Sequence, residues 1–358
     1  MITKAKQTKK QTFMLIGVGK TNVPIIAIAK KTGYQTIVTD IKPDAEGLKH
    51  GDFNYNISAK DIEGLALIAE KHEVDLIYSG TDVNFGVGVL NMVRGIDGFP
   101  LILGLASENK GIFRKIAAQA GMPLTRGQFV HSQEKAVTAF KELGKNAVIK
   151  ATNLCSSKGI KKVSSVKEVM EGYEECCSLS NSRDAIVEEF ITATCHDVNG
   201  MMLNGKFYPC GIVDRSFISN SNYFVQQEMT CPTLLDRKVQ EQMYSTMARF
   251  ARYLKVHTTP LKADFMFDGK NIYLLEYGPR FHGSMGFLHM IPGATNIRAM
   301  EAYLKYRHSG ILDKKLLEEN VIDRAVCKAD IQGMVKSNYD VKRYVISFNN
   351  KQDIVVTI

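Results

Sequence analysis

No run of apolar residues in this 358-residue sequence reaches the length needed to cross a membrane. The stretch from Phe13 to Val18 is far shorter than a signal-peptide core and is followed by Lys20, so a cytoplasmic protein with no membrane partner is expected. Any Cys-x-x-Cys pair is also missing. The seven cysteines are an odd number scattered through apolar runs, with Cys176 and Cys177 adjacent, which excludes zinc-finger spacing and reads as reduced thiols. Internal repeats and low-complexity segments are absent. So is any dense block of one charge. The 46 Lys and Arg exceed the 37 Asp and Glu by a dispersed +9, which suits small anionic substrates and argues against a nucleic-acid partner. The longest basic cluster, Lys4, Lys6, Lys9 and Lys10, reads as a solvated leader.

The first hundred residues alternate strand and helix patterns. Thr12 to Val18 and Gln35 to Thr39 read as buried strands, Pro24 to Thr32 and Asp61 to His72 as helices, and Asp75 to Tyr78 as another strand leading into the loop Ser79-Gly80-Thr81-Asp82. That spacing predicts a doubly wound parallel sheet with ligand-accessible loops at the strand ends. Two motifs there are incomplete. Gly17-Val18-Gly19 with Asp40 downstream begins like a dinucleotide fingerprint, but Asn22 stands at the third glycine position. Gly19-Lys20-Thr21 ends like a phosphate loop, but Met14 stands at its first glycine position.

From Ser107 the pattern changes to mixed α and β. Asn109 to Ala120 and Glu134 to Leu143 read as helices, and Ala147 to Ala151 as a strand carrying Lys150. Ser156, Ser157, Lys158 and Gly159 form a loop whose amides and hydroxyls suit phosphate oxygens. Ala185 to Ile191 is a strand containing Glu188 and Glu189; Asp214 to Pro232 is polar and reads as a mobile loop; Arg324 to Ile358 reads as short strands. The richest stretch lies between these last two. Leu261 to Phe267 and Ile272 to Glu276 are apolar strand patterns joined by Asp268-Gly269, a hairpin signal. Asp264 and Glu276 are therefore expected on paired strands, where two carboxylates can face the same way and share a cation; oxygen ligands of this kind suit Mg²⁺. Arg280 follows Gly278-Pro279 within reach of a phosphate or carboxylate, and His282 and Ser284 follow in a Gly-rich turn.

Read in order, Lys110, Lys150, the Ser/Gly loop, Val187 to Ile191 and Leu275 to Arg280 resemble the ATP-grasp superfamily over roughly the whole chain, most of all its carboxylate–amine ligase branch. The resemblance implies an α/β, doubly wound N-terminal domain followed by an α+β two-lobed grasp: residues 1–106, then lobes at 107–185 and 186–310, then a β-rich segment at 311–358. It implies ATP and Mg²⁺ as cofactors, carboxylate and amine substrates such as amino acids, and admits a homodimer. Lys110 and Lys150 would contact ATP phosphates, Ser156 to Gly159 would form a flap over them, and Glu188 with the backbone of Glu189, Phe190 and Ile191 would read the adenine. Asp264 and Glu276 would hold the metal. Arg280, with Lys150 and His282, would serve the reacting groups.

Two departures stand out. The family's usual Glu-x-Asn-Pro-Arg is here Glu276-Tyr277-Gly278-Pro279-Arg280, so an oxygen ligand is missing. Its usual ribose-binding glutamate is here Cys195, leaving His196, Asp197 or a backbone group to take the ribose. Two other readings compete with a ligase. A nicotinamide-dependent oxidoreductase would rest on Gly17-Val18-Gly19, and a non-catalytic nucleotide-binding regulator on the departures at Gly278 and Cys195.

Overall fold

The computed structural model describes residues 10–144, 146–154, 158–180, 182–218, 222–224, 226–283, 285–335 and 338–357. Its first sheet is the expected parallel one. Strands β1 (Thr12–Ile16), β2 (Gln35–Asp40), β3 (Phe53–Asn56) and β4 (Leu76–Ser79) lie in the order β3-β2-β1-β4. All five residues of β1 are buried, as a central parallel strand covered on both faces requires. The helices are delimited by the chemistry of their ends. Asp61 caps Ile62–Lys71 by accepting from the Gly64 amide, and Asn109 caps Lys110–Gln119 by accepting from that of Ile112.

The second sheet is antiparallel: β5 (Gly127–Val130), β6 (Ala147–Ala151), β7 (Ile160–Val163) and β8 (Ala185–Glu189), in the order β5-β8-β6-β7. The third is also antiparallel and has eight strands. It comprises β9 (Thr194–Leu203), β10 (Lys206–Phe217), β11 (Gln226–Cys231), β12 (Thr259–Phe267), β13 (Ile272–Gly278), β14 (Ala325–Val335), β15 (Asn338–Phe348) and β16 (Ile354–Thr357), in the order β13-β12-β9-β10-β11-β14-β15-β16. Strand β13 is thus an edge.

Two expectations are corrected here. Much of the polar segment from Asp214 to Pro232 is paired β-structure: Asp214 to Phe217 close β10 and pair with β11. Ser216 and Gln227 are exposed on these strands, and antiparallel strands with one solvated face tolerate such polar residues. The tail strands are also long, two of them eleven residues, and they extend the sheet that carries Asp264.

Helix Arg237–Tyr253 covers one face of β12 and β13. Met243, Met247 and Phe250 pack there with Phe265, Leu274 and Tyr277, all buried. The Phe250 and Tyr277 rings meet edge to face at 5.0 Å, and the Tyr277 hydroxyl donates to the Met247 carbonyl at 3.0 Å. Burying each large side chain contributes about 1.5–3 kcal/mol. This layer fixes which face of the two strands is left for the charged residues.

Candidate active site

On the uncovered face of β12, the even-numbered residues Lys262, Asp264 and Met266 look into a cleft of about 520 Å³ that also reaches the second sheet and the loops ending β4. Pairing places Asp197 of β9 opposite Asp264, and Asp264 opposite Glu276, so three carboxylates form one row across adjacent strands. A second row, two residues away, runs Asn199, Lys262, Gly278.

Three like charges side by side repel unless neutralised. Arg215, on β10, does this for two of them: its Nε lies 2.7 Å from Asp197 Oδ1 and its Nη2 is 2.8 Å from Asp264 Oδ2. His282 Nε2 is 2.7 Å from the other Asp264 oxygen and 3.5 Å from Asp197. Burial alone would raise the Asp264 pKa, but Arg215, His282 and Lys262 together hold it well below the usual carboxylate range. Glu276 is bracketed by two ammonium groups, with Lys110 2.9 Å from Oε1 and Lys262 3.4 Å from Oε2. Its pKa is likewise lowered against the opposing effect of burial. Arg280 donates from Nε to Asp82 Oδ1 at 3.0 Å and from Nη1 to the Phe281 carbonyl at 2.7 Å. Burial pushes Asp82 up, but Lys262 and Arg280 overcome it and hold it at about 2.

The structure brings Lys110, Lys150, Glu188, Asp197, Asp264, Glu276, Arg280 and His282 to the cleft. Glu188 is buried and its oxygens are engaged: Lys150 binds Oε1, while Arg114 at 2.7 Å and Thr125 at 2.8 Å bind Oε2. Burial would raise its pKa, yet Lys150 and Arg114 hold it low. The Glu189 carboxylate is tied to Arg126, and the amides of Glu189 and Phe190 donate to the carbonyls of Arg126 and Asn146. Those two amides are therefore already used within the chain. Lys158 is exposed and lies outside the cleft lining, and the Gly159 carbonyl accepts from Ala151. Ser156, Ser157 and Ser284 lie outside the described residues.

Strand alternation sorts the remaining candidates. Cys195 lines the cleft, and burial raises its thiol to about 11. His196 points to the opposite face, where Nδ1 meets Asp214 at 2.7 Å and Nε2 meets the Thr194 hydroxyl at 2.7 Å. It is thus removed as a ribose partner. Asp214 and Glu228 share that face, beside a separate cavity of about 670 Å³. That cavity is the larger, but the convergent charges are in the smaller. Asp40, the acid of the partial dinucleotide motif, accepts from the amides of Val18 and Lys42 and so serves to close its own loop.

Sequence reasoning missed Arg114 and Lys262. A signal for each was present: Arg114 lies one helical turn after Lys110, and Lys262 shares the parity of Asp264 on an apolar strand.

The doubly wound sheet, the two antiparallel sheets and the charged cleft spanning them have the architecture of the ATP-grasp superfamily. Residues 114–307, more than half the chain, match the family described as D-ala D-ala ligase C-terminus, and the chain belongs to that family. A curated relative, the formate-dependent phosphoribosylglycinamide formyltransferase of Maridesulfovibrio salexigens, is 25% identical over 186 residues, covering 50% of this chain and 47% of the relative. The chain thus spans about half the length of that relative. Among solved structures, the biotin carboxylase domain of Hydrogenobacter thermophilus 2-oxoglutarate carboxylase, in complex with MgADP, ADP and bicarbonate, is similar with TM-score 0.75 and 18% identity over 90% of this chain and 75% of that one. The L-amino acid ligase of Bacillus licheniformis is similar with TM-score 0.75 and 16% identity, over 91% of this chain and 82% of that one.

Proposed function

We propose that the chain is an ATP-dependent ligase of the cytoplasm that joins a small carboxylate, such as that of an amino acid, to an amine. The carboxylate attacks the γ-phosphorus of ATP, ADP leaves, and the amine then displaces phosphate from the acyl phosphate to form the amide. The observation that carries this reading is the row Asp197, Asp264, Glu276 bordered by Lys110, Lys262 and Arg280 within one cleft. Moving a phosphoryl group is mostly positioning and charge neutralisation, and fixed cations around fixed carboxylates supply both.

Lys110 and Lys150 would orient phosphate oxygens. Asp264 and Glu276, on neighbouring strands with oxygen donors, fit a divalent ion that is completed by phosphate and water. When bound, such an ion polarises the phosphoryl oxygens and offsets their charge. Arg280 would exchange Asp82 for the transferring group, for which its planar fork is suited. With both its oxygens engaged, Glu188 would hold Lys150 and Arg114 in place, and adenine contact would fall to the segment around Ile191.

The test measures ADP release across a matrix of amino acids and small carboxylates, with hydroxylamine as the acceptor. The expected product is a hydroxamate that requires both ATP and the correct acid. If ATP is consumed with a substrate acid and ¹⁸O from that acid never reaches phosphate, the acyl phosphate is ruled out.

A further inference from the structure

We infer that Lys262 supplies, as a fixed ammonium, the positive charge that a second divalent ion would bring beside Glu276, so that the nucleotide-loaded cleft holds one such ion. This rests on the nucleotide reading above and concerns how the same cleft balances charge.

Two cations bridging a triphosphate need protein oxygens for each. On the cleft face of β12 and β13 the carboxylates are those of Asp264 and Glu276; the next position on β13 is Gly278, which has no side-chain oxygen. Lys262 stands directly opposite Gly278 in the ladder. Its stem fills the space a side chain there would use. A Cβ added to Gly278 would lie 3.3 Å from Lys262 Cε and 3.2 Å from Ser107 Cβ, so any side chain there makes both neighbours give way slightly, and a longer, amide-bearing one competes with the Lys262 stem for the same space. The backbone of Gly278 is not in the left-handed region, so the glycine answers to this close approach and not to a turn.

The lysine's head is placed to act. Its Nζ lies 3.4 Å from Glu276 Oε2 and 3.9 Å from Asp82 Oδ1, and the side chain is only 9% exposed. With Lys110 on Oε1, both oxygens of Glu276 already face ammonium groups. A second divalent ion at Glu276 would meet Lys262 at contact distance, and like charges so close disfavour each other strongly in a buried setting. The other two carboxylates of the row, Asp264 and Asp197, both face His282 and Arg215 and make no ion pair with a lysine among the described residues. Glycine at 278 and lysine at 262 thus form one exchange: an oxygen ligand and its ion are given up for a tethered cation.

The experiment counts Mn²⁺ by electron paramagnetic resonance in the full chain saturated with the β,γ-imido analogue of ATP, with nucleotide binding read separately by calorimetry. One Mn²⁺ per nucleotide is expected for the native sequence, and two for the double variant Lys262→Met, Gly278→Asn. Two Mn²⁺ in the native chain overturns the inference, whatever the variant does. A folded, nucleotide-binding double variant that stays at one also overturns it. Absence of any nucleotide heat in the native chain removes the nucleotide reading itself and this inference with it.

Discussion

Asp264 and Glu276 stand opposite each other because Leu275 is an extra residue in the ladder between β12 and β13. The pairing runs Phe267 with Ile272, Met266 with Tyr273 and Phe265 with Leu274, and then skips to Asp264 with Glu276. Without that bulge Asp264 would face Leu275, and Glu276 would point into the layer of Phe250 and Phe265. A one-residue slip moves every following side chain to the other face. The bulge therefore decides whether the two acids can share a ligand at all.

Replacing Glu276 by Gln keeps the shape and removes the charge that Lys110 and Lys262 stabilise. Turnover should fall on the order of a hundredfold or more, as expected when electrostatic support for a developing charge is lost. Steady-state kinetics, with circular dichroism as the check on folding, measure this; a change of only a fewfold would remove Glu276 from the site.

Asp82 gives a pH signature. Its pKa is about 2 in the folded chain against 3.8 for the free side chain. A lowered carboxylate contributes stability that is present above the unfolded value and is lost as pH falls through the folded one. The window is therefore about pH 4 down to about pH 2, and the contribution is about 2 kcal/mol. Urea unfolding of Asp82→Asn compared with the native chain across that range should show a difference that shrinks toward the acid end. A constant difference would mean that the ion pair with Arg280 does not set the acid limb.

Arg215 balances both Asp197 and Asp264. Arg215→Met leaves buried Asp197 and largely buried Asp264 without their shared cation, and breaking a buried pair from one side costs about 3–5 kcal/mol. Denaturant midpoints at neutral pH measure the loss, which should lessen when Asp197→Asn is added. Equal losses in the single and double variants would show that the arginine matters through packing alone.

Nucleotide should stabilise the chain selectively. At a hundredfold excess over its dissociation constant, Mg-ATP raises stability by about 2.7 kcal/mol, because it binds the native state alone. Thermal unfolding should shift upward with Mg-ATP and stay put with a nicotinamide dinucleotide, since Asp40 is already committed to the amides of Val18 and Lys42. A shift with the dinucleotide only would reverse the assignment.

Much of this was legible in the sequence, for reasons tied to particular residues. Parallel strands such as Thr12–Ile16 are continuous apolar runs, and helix Lys110–Gln119 starts where Asn109 can cap it. The pairing of Asp264 with Glu276 could be anticipated from the hairpin; the bulge that accomplishes it could not, because nothing in Leu275 distinguishes an extra residue from a paired one. The Asp214 to Pro232 segment misled because its polarity matches that of a loop, while its pairing partner on β14 lies about a hundred residues away in sequence. Arg114 was missed for a related reason: its partner Glu188 is 74 residues distant, and no local pattern joins them.

Glu276 lies on an edge strand. β13 is hydrogen-bonded to β12 on one side, while on the other side the Leu274 amide donates to the Pro123 carbonyl at 2.7 Å. Edge strands have fewer ladder bonds to break and open locally at lower cost than interior ones. The backbone beneath Glu276 should accordingly exchange its amide hydrogens faster than the backbone beneath Asp197 on interior β9. A ligand bridging Asp264 and Glu276 would tie the margin of the sheet to its interior, and the resulting protection should be concentrated at Leu275 to Gly278. The slowing of exchange on this one strand is then a measure of occupancy that needs neither turnover nor knowledge of the acid and amine.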